Sequence, residues 1–155
     1  MSRSSSLGFG GQGQVVAPGA ALGVPGGEQL GRMSAIAARR MGYRVHSFSP
    51  EDDSPAGQIA DVEITAAYED LDALRAFARG VDVVTFEFEN VPIDAIDAVE
   101  AFTPVRPSAV ALHTAQQRAR EKTFLADRGV PTAPFFAATT LVELWVAVAR
   151  VGTPA

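Results

Sequence analysis

The chain has no cysteine, so it can form neither disulfides nor thiolate metal sites, and the absence fits a reducing compartment such as the cytoplasm. Histidine is nearly absent as well. His46 and His113 stand alone, without partners at metal-binding spacing, and each reads as a packing or surface residue. Basic charge is scarce: 13 Lys and Arg face 18 Asp and Glu, a net charge of -5 that offers no positive field to a phosphodiester backbone. Nucleic acid is therefore not an expected partner. No apolar stretch approaches the ~20 residues needed to cross a bilayer, which points to a soluble protein with no membrane contact. No serine sits in a nucleophile elbow, and no histidine lies near a plausible catalytic Ser and Asp pair, so nucleophilic catalysis has no visible support.

What remains is enough for one domain. The 155 residues are 47% hydrophobic, which suits a globular chain with a real core. Residues 1–19 are rich in Gly and Ser, hold no apolar run long enough for a signal-peptide core, and read as a flexible leader. Beyond them, strand and helix patterns alternate. Strands are expected at 20–24, 44–48, 62–64 and 81–87, with a brief fifth strand starting at Val105. Helices are expected at 29–41, with Leu30, Met33, Ile36, Ala37 and Met41 as the buried face, at 71–79, and from Pro92 with Ile93, Ile96 and Val99 on one side. This order argues for an α/β fold, a parallel sheet wrapped by helices. After Pro107 the pattern becomes helical. Capping-box spacing at Thr114 with Gln117 and at Thr140 with Glu143 predicts two helix starts, and Leu141, Leu144, Trp145, Val148 and Ala149 form an apolar stripe.

The stretch VDVVTFEFENVP, residues 81–92, carries the densest chemistry. An apolar strand runs into Glu87 and Glu89, two apart and hence expected on one side, followed by Asn90. Ligands of open α/β sheets bind beyond the carboxyl ends of the strands, where these residues would lie, although a solvated strand end is the plain alternative. The turn GVPGGEQLGRM at 23–33 offers helix-start NH groups for a phosphate. A dinucleotide fingerprint would need Gly at 26, 28 and 31, and Glu28 breaks it at the middle position while Pro25 removes an NH. A tight strand-to-helix turn is the competing reading. The run RAREK, Arg118 to Lys122, reads either as a solvated helix face or as a cationic wall for a nucleotide.

Four motifs occur in order: GGEQLGRM at 26–33, PEDDSPAGQIAD at 50–61, TFEFENVP at 85–92, and QQRAREKTFL followed by GVPTAPF at 116–135. On these the chain closely resembles the N-terminal part of the 5-(carboxyamino)imidazole ribonucleotide synthases, ATP-grasp ligases of purine biosynthesis. The resemblance implies a Rossmann-like pre-ATP-grasp domain at 20–107, then a helical linker and the start of the ATP-grasp region at 108–155. It implies use of ATP and magnesium to activate bicarbonate, with carboxylate transfer to the amine of 5-aminoimidazole ribonucleotide. Gln29, Leu30 and Glu87 would face the ribonucleotide and Arg118 the ATP; no catalytic residue and no metal ligand is assigned. A homodimer is open for the full-length enzyme.

The family's ATP-contacting lysine strand, glycine-rich phosphate loop and magnesium ligands have no counterpart here, so the chain is expected to be inactive alone. Two other readings stay open: a Rossmann-like module that binds a nucleotide or sugar phosphate without reaction, and a decayed gene product. Ser49, where an NAD-binding acid would stand, argues against NAD. Because Glu28 places negative charge beside the ribonucleotide turn, Glu28→Gly is expected to tighten 5-aminoimidazole ribonucleotide binding in calorimetry. Unaltered affinity would refute the repulsion argument.

Overall fold

The computed structural model describes residues 15–152. Four apolar segments form strands: β1 (Ala21–Pro25), β2 (Arg44–Ser49), β3 (Val62–Thr65) and β4 (Val83–Val84). All pair in parallel, in the order β3-β2-β1-β4. The helix α1 (Gln29–Arg40) connects β1 to β2, and α2 (Leu71–Arg79) connects β3 to β4. The chain thus steps outward from β1 to β3 and then returns to the other side of β1. This reversal between β1 and β4 is the switch point at which such sheets open a crevice beyond their carboxyl ends.

The expected strand at 81–87 is much shorter than its composition suggested. Only Val83 and Val84 pair with β1, and Thr85 adds one last bond, its NH donating to the Gly23 carbonyl at 2.9 Å. Pro25 has no NH with which to continue the ladder toward Thr85, and on the other side Val105 makes only a single parallel bridge to Val84. Phe86 and Phe88 then pack against the main core, which is built around Phe48, Leu74, Phe77, Val84, Ile96 and Val99. Phe77 stacks on Phe48 at 5.4 Å between ring centroids, so the α2 face is held to the sheet by one of the larger buried contacts.

α1 packs by a different face from the one its large residues marked. Gly31, Ala35 and Ala38 are buried, whereas Leu30 is 59% and Met33 64% exposed, and Ile36, Ala37 and Met41 also point outward. The cause is the close approach of the helix. A Cβ on Gly31 would lie 3.0 Å from the Gly26 carbonyl oxygen and 3.2 Å from the Ala56 Cβ, so only small residues fit the contact row. Ala35 and Ala38 continue that row against Val24 and Val45, with Ile59 and Ala60 closing the side.

Pro92 stands as N-cap of α3 (Ile93–Glu100), whose Ala95, Ile96 and Val99 are buried. The helical segment that follows contains α4 (Ala109–Ala115), α5 (Arg118–Asp127) and α6 (Leu141–Val151). Thr114 does not start a helix. Its hydroxyl donates to the Val110 carbonyl inside α4 at 2.8 Å, and Gln117, without a side-chain cap bond, precedes α5. At Thr140 the expected capping box is present: the Thr140 hydroxyl accepts from the Glu143 NH at 3.2 Å, and the Glu143 carboxylate accepts from the Thr140 NH at 3.1 Å. Leu112 of α4 is buried in the main core, while α5 and α6 bury no residue. Residues 1–14 of the expected leader lie outside the described residues. Its last part is tied down, since the Tyr43 hydroxyl donates to the Val16 carbonyl at 2.9 Å and the Gly19 NH to the Gly42 carbonyl at 2.8 Å.

Gly23 in the middle of β1 is the tightest point of the sheet's main-core face. A Cβ there would lie 2.6 Å from Phe77 Cζ and 2.8 Å from Val84 Cγ2. Gly23→Ala is expected to destabilise the domain by about 1–3 kcal/mol in chemical denaturation, through overpacking.

Candidate functional site

β1 delivers its last residue, the fully buried Pro25, to the switch point, and the chain must turn at once into α1. Gly26 makes the turn with φ of +141°, a conformation that side chains rarely tolerate. Glu28 is the N-cap, yet its side chain makes no cap bond and is exposed. The first NH groups of α1 therefore lack partners from within the helix, and the helix dipole places partial positive charge there.

Glu87, leaving β4, fills part of that space. Its Oε1 would be only 2.5 Å from a Cβ at Gly26 and 3.1 Å from one at Gly31, so the carboxylate lies directly against the start of α1. Oε1 is buried and completes no hydrogen bond. Burial pushes the Glu87 carboxyl above the usual range; the nearby NH groups of Gly31 and Glu28 oppose the rise, and the Glu28 carboxylate adds to it. Gln29 and Leu30, both exposed, form the first turn beside it. Three of the four expected site residues thus belong to one strand-end and helix-start junction, and its free capacity is acceptor capacity at Glu87 together with donor capacity at the helix start.

Tyr68, which the sequence reading passed over, belongs to the same end of the sheet. Its ring packs between Phe48, at 6.0 Å, and Phe88, at 6.3 Å between centroids. Burial, then the carboxylates of Glu87, Glu28 and Glu51, push its hydroxyl up to about 12, so it remains a protonated donor. The available signal was an aromatic residue just past the end of the third strand, in TAAYED.

Arg118 is placed elsewhere. It opens α5, pairs with Glu121, and lines a recess of about 360 Å³ with Glu89, Ala115 and Gln116. Glu87 and Glu89 therefore do not share one side. With only two residues of β4 in the ladder, the alternation on which that expectation rested ends before it reaches them, and Glu89 faces the recess of Arg118 while Glu87 faces α1. Among the described residues no group of three or more His, Asp or Glu is gathered as a metal site.

The half-buried carboxyl of Glu87 has a consequence for stability. Its pKa is raised on folding, so ionised Glu87 costs stability at pH values above that raised pKa, and the cost fades as pH falls through it toward the ordinary glutamate value of about 4.3. Glu87→Gln is expected to raise the melting temperature at neutral pH, with the difference from the parent shrinking on acidification. A lower melting temperature at pH 7 would contradict the assigned burial.

The Ribonucleotide synthetase preATP-grasp domain model matches residues 20–116. The N5-carboxyaminoimidazole ribonucleotide synthase of Bacillus subtilis is 41% identical over 142 residues, covering 92% of this chain and 37% of its own length. The crystal structure of an ADP complex of purK, an N5-carboxyaminoimidazole ribonucleotide synthetase, superposes with a TM-score of 0.84 at 36% identity, covering 92% of this chain and 38% of that one. A synthase from Aspergillus clavatus, in complex with ADP and 5-aminoimidazole ribonucleotide, gives a TM-score of 0.76 at 34% identity over 88% of this chain and 37% of that one. The chain spans 14% to 37% of the length of the curated relatives that head the comparison. With its parallel sheet reversing between β1 and β4, its ordered motifs and a match across more than half its length, the chain belongs to the ribonucleotide synthetase preATP-grasp domain family.

Proposed function

We propose that this chain is the ribonucleotide-binding, N-terminal part of an ATP-dependent ligase that carboxylates 5-aminoimidazole ribonucleotide with bicarbonate in purine biosynthesis. The observation that carries the reading is the unpartnered Oε1 of Glu87, held against the start of α1 in a domain of this family. A carboxylate in that state accepts strongly from a hydroxyl or an amine, and the ribonucleotide offers both on its ribose and its exocyclic nitrogen. Gln29 and Leu30 complete the site: the side-chain amide of Gln29 can bond to a polar edge, and the helix-start NH groups favour an anion.

Arg118 takes the ATP side in this proposal, its guanidinium suited to a phosphate or to the adenine edge once it leaves Glu121. Residues 20–107 form the ribonucleotide domain, after a leader at 1–19, and 108–155 begin the ATP-grasp part. Magnesium and the phosphoryl-transfer groups come from the portion of the relatives that this chain does not span, so the chain alone is proposed to bind without turnover. The setting is the cytoplasm, in keeping with a cysteine-free chain and with the absence, among the described residues, of a helix long and apolar enough to cross a membrane.

Calorimetry separates this reading from a general nucleotide-binding module. The chain is expected to bind 5-aminoimidazole ribonucleotide and not NAD, and Glu87→Gln is expected to weaken ribonucleotide binding about tenfold or more, the worth of a hydrogen bond to a charged group. Tight NAD binding, or full ribonucleotide affinity in the variant, would overturn the assignment. Mixing the chain with the C-terminal portion of a relative is expected to restore ATP- and bicarbonate-dependent carboxylation.

A further inference from the structure

Gln116 closes α4 at its C-cap, two residues before Arg118. Its backbone NH donates to the carbonyl of Leu112, a core residue, at 3.0 Å. Its side chain reaches in the opposite direction. Nε2 donates to the Glu89 carbonyl and to the Val91 carbonyl, each at 2.9 Å, across 27 and 25 residues of sequence. An amide nitrogen carries two hydrogens, and here both are used. Among the described residues these are the only hydrogen bonds that join anything after residue 107 to the domain before it.

The two carbonyls differ in what holds them. Val91 is fully buried and fixed by the core, whereas Glu89 is exposed and follows Glu87 by two residues in a segment that has left the sheet. One end of the clamp is therefore anchored, and the other holds the exposed Glu89, just beyond the core-packed Phe88. Gln116 also lines the recess of Arg118 and Glu89, so the same residue touches the exit of β4 and the entry of α5.

We infer that Gln116 is a positioning residue: its amide holds the Glu87-bearing segment and the start of α5 in one register, linking the ribonucleotide side of the cleft to the Arg118 side. The inference rests on the function proposed above for its effect on binding, but the clamp itself is a property of the chain without ligand.

The test uses the whole chain and two variants. Gln116→Glu turns a double donor into a carboxylate facing two carbonyl oxygens, and Gln116→Lys keeps a donor of sufficient reach. In NMR relaxation, Gln116→Glu is expected to lower the backbone order parameters at 88–90 from the rigid range of about 0.85 toward about 0.6, with the sheet unchanged. In calorimetry it is expected to weaken 5-aminoimidazole ribonucleotide binding about tenfold, on the scale of the net worth of hydrogen bonds. Gln116→Lys is expected to stay near the parent in both. Unchanged order parameters at 88–90 overturn the inference, as does loosening throughout the sheet, which marks a merely structural role, or a lysine variant as impaired as the glutamate one. If the parent chain binds no ribonucleotide, the proposed function falls while the order parameters still decide the clamp.

Discussion

Glu87 lies over the start of α1 because no Cβ stands at Gly26 or Gly31, and the organisation of the sheet's carboxyl edge depends on that approach. The missing side chains let a strand exit and a helix entrance share one space. A carboxylate enters a region of partial positive charge, loses water, and keeps one oxygen without a partner. Burial thus works against the ionised form of Glu87, and the NH groups of Gly31 and Glu28 offset part of that cost. Carboxyls perturbed in this way gather at functional sites more often than elsewhere.

The same close approach decides what the rest of the surface looks like. With Gly31, Ala35 and Ala38 pressed inward, the large apolar residues of α1 have nowhere to go but outward. A second uncovered stripe lies on α6, where Trp145 is 67% exposed alongside Leu141 and Leu144. Apolar residues gathered on a helix face in this way are more than scattered surface hydrophobics. They accord with a chain that spans little more than a third of the length of its Bacillus subtilis relative.

Between the Glu87 junction and the recess of Arg118 stands a short segment that is neither strand nor helix, 85–91. Its aromatic residues, Phe86 and Phe88, pack on the core, and its two acids serve different neighbourhoods. Packing sets the depth of this segment and the Gln116 amide spans its outer end, so both recesses are shaped by one stretch of chain. Arg118 opens α5 on the far side of that segment, its exposed side chain paired with the half-buried Glu121 at helical spacing.

Much of the fold was legible in the sequence. The order of apolar runs, the glycines after helices and the cap at Thr140 are local signals, and local chemistry determined strand and helix identity, the parallel α/β class and the residues of the first turn. The ordered motifs identified the family for the same reason. What no local pattern contained was the distance between elements. Helical spacing marked Leu30 and Met33 for the core, but how near α1 comes to the β1 turn decides which face is buried, and that depends on Gly31 meeting Gly26. Spacing of two placed Glu87 and Glu89 together, but the alternation holds only while a strand stays in the ladder, and Pro25 withdrew the next donor that would have kept β4 there. The sequence determined which groups were present at the switch point; only tertiary packing decided which of them lost water, which found partners and which oxygen was left without one.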